Sequence, residues 1–134
     1  MIQVLGLDHL VLRVRDALRM TRFYCDVLGC KVERSKQELG LVQLRAGQSL
    51  IDLVTIDGDL GKKGGAGPGV EGRNMDHFCV RVEPFDPLAV IAHLIKCGVV
   101  PGETKQRYGA DGVGPSIYIT DPEGNVVELK GSPG

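Results

Sequence analysis

Hydrophobic and polar positions alternate with strand periodicity in two stretches that read almost alike, LDHLVLRV at residues 7–14 and MDHFCVRV at residues 75–82. In the first, Leu7, His9, Val11 and Arg13 fall on one face and Leu10, Leu12 and Val14 on the other, as a half-buried strand requires. Aligning the two matches Asp8 with Asp76, His9 with His77, Arg13 with Arg81 and Val14 with Val82. The histidines lie 77 − 9 = 68 positions apart. That is longer than a solenoid period and about half a domain, so the spacing predicts a duplicated module rather than an array.

The pattern then turns helical over residues 17–28, where Leu18, Phe23, Tyr24, Val27 and Leu28 recur at helical spacing. Asp16 is the expected N-cap and Gly29 the stop. Strands are predicted at residues 30–34, 39–45 and 49–56, the last two joined by a hairpin turn at Ala46-Gly47-Gln48. A glycine-dense stretch, GDLGKKGGAGPGVEG, follows between Asp57 and Asn74 and reads as a linker or mobile loop. The second half repeats the order. After the strand at 75–82 come a break at Pro84 and Pro87 and a helix at 88–97, with Leu88, Ile91, Ala92 and Ile95 on one face, closed by Gly98. A strand at 103–107, a loop at 108–115, a strand at 116–120, the turn Asp121-Pro122-Glu123-Gly124 and a strand at 125–130 complete it. The expected fold is α+β: one domain of two βαβββ modules, about 4–57 and 74–131, joined by a linker at 58–73.

On the last strand of each module one carboxylate faces the same way as its apolar neighbours: Asp52 with Leu50 and Val54, and Glu128 with Val126. Each module therefore offers one histidine on its first strand and one carboxylate on its last. Such a mixture of imidazole and carboxylate suits a divalent first-row metal better than calcium or an iron–sulfur cluster. His93, on the second helix, has no counterpart in the first and is expected to face solvent.

Composition narrows the partner. With 43% hydrophobic and 25% charged residues and a formal net charge of −1, the chain has no excess charge for nucleic acid or an anionic membrane, which points to a small-molecule ligand. No apolar run is long enough to span a membrane and no leader precedes the first strand, so a cytoplasmic location is expected. The four cysteines lack paired metal-site spacing and are expected to be reduced and mostly buried; Cys79 shares the face of His77.

The paired LDHLVLRV and MDHFCVRV, the segment FYCDVLGC at 23–30 and the ending SIYITDPEGNVVELKG at 116–131 resemble the vicinal oxygen chelate superfamily, which includes glyoxalase I, fosfomycin thiol transferases, extradiol dioxygenases and bleomycin-resistance proteins. The resemblance covers nearly the whole chain. It implies modules curled into a cup with the helices outside, and a divalent metal (Zn, Ni, Mn, Fe or Co) held by His9, Asp52, His77 and Glu128. Asp52 is a methylene shorter than the glutamate typical of glyoxalase I at this place, so three firm ligands with Asp52 loosely held, and Asp52 or Glu128 as proton shuttle, are implied. Arg13 matches an arginine that glyoxalase I uses for the glutathione carboxylate, while Ile56 stands where an asparagine is expected. Tyr118 matches a substrate-contacting tyrosine of fosfomycin transferases. The resemblance implies a glyoxalase-type lyase or isomerase acting on a small oxygenated or thiol-conjugated substrate. It leaves a thiol transferase of the fosfomycin-resistance type or a non-catalytic drug-binding protein as alternatives, and makes a homodimer the expected assembly.

Overall fold

The computed structural model describes all residues from Met1 to Gly134, which divide into two compact units, Met1–Asn74 and Met75–Gly134. In the first unit the order is β1 (His9–Val14), α1 (Ala17–Asp26), β2 (Lys31–Lys36), β3 (Leu41–Ala46) and β4 (Ser49–Thr55). In the second it is β5 (Phe78–Arg81), α2 (Pro87–Lys96), β6 (Lys105–Gly109), β7 (Gly112–Thr120) and β8 (Val126–Lys130). Each unit is a four-stranded mixed sheet, ordered β1-β4-β3-β2 in one and β5-β8-β7-β6 in the other, with the first and last strands parallel and adjacent. The duplicated βαβββ architecture is thus observed in both halves.

Alternation along the strands builds the first core. Leu12 stands opposite Leu53, and Leu44 opposite Ile51, all buried under α1 with Val14, Met20, Phe23 and Tyr24. Asp16 caps α1 as expected, its carboxylate accepting from the Arg19 amide at 3.0 Å. The inward face of α1 differs from expectation: Leu18 is exposed and Met20 takes the buried place. β3 begins later than predicted because residues Gln37–Leu39 form a 3-10 turn that ends on Gly40 in the left-handed conformation.

In the second unit Val127 and Leu129 of β8 meet Ile117 and Ile119 of β7 on the core side. The loop expected at 108–115 is instead the tip of a β-hairpin: β6 continues to Gly109, which pairs with Gly112, and β7 starts there. Glycine-rich sequence here reads as loop, yet a backbone without side chains can still pair. The turn from Asp121 to Gly124 forms as predicted, with the Asp121 carboxylate accepting from the Glu123 and Asn125 amides, each at 2.9 Å.

Three further expectations are corrected. Pro87 does not break the chain but opens α2, at the position where its missing N–H costs nothing, behind an Asp86 N-cap. The buried face of α2 is carried by Leu94, 1% exposed, whereas Leu88 is 80% exposed and Ile95 and Ala92 also face outward. The cysteines are not mostly buried: Cys30 is, Cys25 is half-buried, and Cys79 and Cys97 are exposed.

The stretch between Asp57 and Asn74 is tethered rather than loose. The Arg13 guanidinium donates to three consecutive carbonyls, Gly64 (3.1 Å), Gly65 (2.6 Å) and Ala66 (3.1 Å), and Arg15 donates to Pro68 at 2.7 Å. A Cβ on Gly64 would stand 2.6 Å from the Arg13 guanidinium carbon, so glycine is what lets the loop close on it. Asn74 completes the tether by bonding both the N–H and the carbonyl of Arg13 through its side chain.

Candidate metal-binding and catalytic residues

In the first unit parallel pairing of β1 with β4 sets Val11 beside Asp52, with His9 two residues before Val11 and therefore on the same face. Asp52 is 6% exposed. A carboxylate so removed from water needs donors, and Gln43, directly opposite on β3, supplies them: its amide nitrogen lies 3.1 Å from each oxygen of Asp52. Arg34 on β2 in turn donates from Nε to the Gln43 amide oxygen. Because that oxygen is claimed, the Gln43 nitrogen is the end left for Asp52.

A β-bulge makes this row possible. The register of β2 on β3 shifts between Val32 and Arg34, so that Arg34, not Glu33, stands opposite Gln43. Were the ladder regular with all its residues kept, Glu33 would stand opposite Gln43 and take the place beside Asp52. Glu33 instead pairs with Arg45, which holds its carboxyl below the usual carboxylate range.

The second unit repeats the row with different chemistry. Cys79 of β5 stands beside Glu128 of β8, and Tyr118 of β7 lies on the other side of Glu128. Glu128 is 6% exposed. Its Oε1 is 3.4 Å from Nε2 of His77, and the His77 ring meets that of Tyr118 edge to face at 5.2 Å. The Arg107 guanidinium carbon lies 4.6 Å from the Tyr118 ring centre while Arg107 donates to the Ser116 carbonyl and hydroxyl at 2.9 and 2.7 Å. Burial, and then its hydrogen bond to Glu128, pushes the Tyr118 hydroxyl pKa up. Burial likewise raises the Cys79 thiol, with Glu128 adding to the effect.

Both histidines are held from behind. Nδ1 of His9 is 2.7 Å from the Asp8 carboxylate, and Nδ1 of His77 is 2.5 Å from that of Asp76. The Asp8 hydrogen bond, followed by the charge of Asp52, raises the His9 pKa. His93 is exposed on α2, as expected, with its ring nitrogens 3.8 and 4.0 Å from the Cys97 sulfur.

Sequence reasoning therefore selected His9, Asp52, His77, Glu128 and Tyr118, which lie in these two rows. It placed Arg13 on the same face as His9, and the structure commits that guanidinium to the loop carbonyls. It missed Gln43, Arg34 and Arg107. Gln43 was missed by one residue of register, since the expected turn of Ala46-Gly47-Gln48 is in fact Gly47-Gln48 alone, with Ala46 paired to Ser49; Arg34 was missed because the bulge is invisible in the periodicity.

Nowhere do three His, Cys, Asp or Glu side chains gather into a group that could hold an ion. Each unit instead presents a pair. For His77 and Glu128 the geometry fits two ligands of one ion: with bonds of about 2.1 Å, tetrahedral ligands stand about 3.4 Å apart, which is the observed separation.

Two βαβββ modules, each with a histidine and a nearly buried carboxylate at equivalent places, define the class of protein by its duplicated fold. Residues 6–129 match the model of the Glyoxalase/Bleomycin resistance protein/Dioxygenase superfamily, and the chain belongs to that superfamily. It is 32% identical over 126 residues to virulence protein STM3117 of Salmonella typhimurium, covering 92% of this chain and 81% of that one. The crystal structure of that protein superposes with a TM-score of 0.78, over 98% of this chain and 100% of that one. The integron cassette protein VCH_CASS1 of V. cholerae is 28% identical, with a TM-score of 0.77 and 98% of both chains covered. FosX from Listeria monocytogenes, in a mutant complexed with Mn(II) and 1S,2S-dihydroxypropylphosphonic acid, shares the fold at 18% identity, with a TM-score of 0.71 and 98% of this chain and 93% of that one covered.

Proposed function

We propose that the protein is a metal-dependent enzyme of the glyoxalase type, a lyase or isomerase acting on a small oxygenated or thiol-conjugated substrate. The observation that carries this reading is the recurrence, in both modules, of a histidine at the start of the first strand or just before it and a nearly buried carboxylate on the last. His9, His77 and Glu128 would supply imidazole and carboxylate donors to a divalent first-row ion. When bound, such an ion supplies Lewis acidity, favouring negative charge as it develops on a substrate oxygen.

The chain's own residues divide the remaining work. Asp52, whose two oxygens share the Gln43 amide, is the carboxylate kept from tight ligation and is the better proton acceptor for that reason. Tyr118, a phenol that carries its proton near neutrality as tyrosines do, donates to an oxygen of the substrate, with Arg107 against its ring favouring an anionic group nearby. Arg13 would contact substrate only by exchanging loop carbonyls for a carboxylate. A second reading, opening of an electrophile such as an epoxide by a thiol or by water, draws support from the same Tyr118 and Arg107 and from the fold shared with FosX. The proposed assembly is a homodimer, of 2 × 14.4 = 28.8 kDa, which sedimentation equilibrium would detect.

The test is metal content by elemental analysis of wild type, His77→Ala, Glu128→Ala and Asp52→Ala, with turnover of 2-oxoaldehyde–thiol adducts and of epoxides measured after chelation and reconstitution. Loss of metal in the first two variants, a smaller loss in Asp52→Ala and metal-dependent turnover are expected. Full occupancy in both His77→Ala and Glu128→Ala would remove the ion from these residues, and tight ligand binding without turnover by a metal-free protein would replace this reading with a drug-binding one.

A further inference from the structure

We propose that Asp8 and Asp76 are positioning residues, each fixing the tautomer and ring direction of the histidine that follows it; the inference rests on the metal-dependent reading above. A carboxylate ion only accepts hydrogen bonds. The contacts of 2.7 Å from Asp8 to His9 Nδ1 and 2.5 Å from Asp76 to His77 Nδ1 therefore place the ring proton on Nδ1 in each neutral imidazole. The lone pair is then on Nε2, and in His77 that is the nitrogen 3.4 Å from Glu128 Oε1.

Adjacent residues of a strand normally point to opposite faces. Here each aspartate lies outside its strand, since β1 begins at His9 and β5 at Phe78, so the ladder does not dictate where its side chain turns. Both aspartate side chains are largely exposed, 89% for Asp8 and 94% for Asp76, and are not placed by packing. The partners of the two buried carboxylates differ between modules, Gln43 and Arg34 in one and Tyr118 and Arg107 in the other. The aspartate before the histidine, and its bond to Nδ1, are the same in both. A carboxylate behind a metal-ligating histidine sets which nitrogen is free and strengthens the ligand, and losing it typically costs tenfold or more in metal affinity.

The experiment compares wild type with the double variants D8A/D76A and D8N/D76N. Ring tautomers are read by nitrogen-15 NMR of histidine-labelled, metal-free protein at a pH above the histidine pKa values. Zinc affinity is read by competition with a chelator, and circular dichroism confirms the fold. Expected are Nδ1–H tautomers for His9 and His77 in wild type, a mixture in D8A/D76A with zinc affinity lowered about 10- to 100-fold, and recovery of the tautomer and part of the affinity in D8N/D76N, whose amide oxygen still accepts. If wild type binds zinc and D8A/D76A matches it in tautomer and affinity, the inference fails while the functional reading stands. If D8N/D76N does no better than D8A/D76A, charge rather than positioning is responsible, and the inference fails. A wild type that binds no divalent ion overturns the functional reading and this inference together.

Discussion

Asp52 shows how a single polar residue can be nearly buried on a sheet without loss: Gln43 meets both of its oxygens and Arg34 orients Gln43. Replacing Gln43 with leucine leaves that carboxylate short of donors, and a buried group left so costs about 1–3 kcal/mol. Urea denaturation of Gln43→Leu should show this loss, and the double variant Gln43→Leu/Asp52→Asn should recover much of it by removing the charge. Cys30 offers a second test. Burial, with the neighbouring Cys25 adding to it, pushes its thiol up to about 11 from an ordinary 9.0. Between those values the unfolded chain releases the thiol proton while the folded chain keeps it, so stability should fall as pH rises from 9 to 11. The slope should shrink in Cys30→Ala when unfolding is followed across that window. A thiol reagent at pH 8 should label Cys79 and Cys97 well before Cys30.

At the scale of elements, α2 separates what periodicity can and cannot tell. The apolar spacing of Leu88, Ile91, Ala92 and Ile95 correctly indicated a helix, yet α2 turns Leu94 inward and Leu88 and Ile95 outward. Leu94→Ala should therefore cost about 2–5 kcal/mol by thermal or denaturant melting, as large-to-small core changes do. Leu88→Ala should stay within about 0.5 kcal/mol; the reverse order would restore the face read from the sequence. The strands were more legible than the helices because a period of two fixes the face unambiguously once one residue is placed. Leu12, Ile51, Leu53, Val127 and Leu129 all face the core where alternation put them. Missed were features set by pairing partners: the hairpin through Gly109 and Gly112, the bulge after Val32, and the 3-10 turn ending at Gly40. Gly40 takes φ +65, and a Cβ added there would stand 2.2 Å from the Thr55 hydroxyl, so Gly40→Ala should destabilise the first sheet well beyond Gly29→Ala, whose Cβ meets nothing.

For the whole molecule the duplication was plain in the sequence because the two DH strands kept their wording, and so the histidines, the carboxylates and the superfamily were legible. What each carboxylate rests on was not, since Gln43 and Tyr118 share no chemistry that a repeat comparison would align. Each unit has its own sheet and a single helix, a scale at which a hydrophobic core supplies only a few kcal/mol. A separated Met75–Gly134, whose helix buries Leu94 alone, should show no cooperative unfolding transition by circular dichroism; a sharp transition would make it an autonomous domain. The bulge in β2 bears on how this chain can change in length. Glu33 is one residue more than the β2–β3 ladder counts, and Arg34 is in register with Gln43 because Glu33 is passed over. Deleting Glu33 would leave every later pair of that ladder where it is, whereas deleting Ser35 would move Arg34 out of step with Gln43. Among shortenings of this strand, the loss of Glu33 is the one the sheet should absorb, at the cost of its ion pair with Arg45.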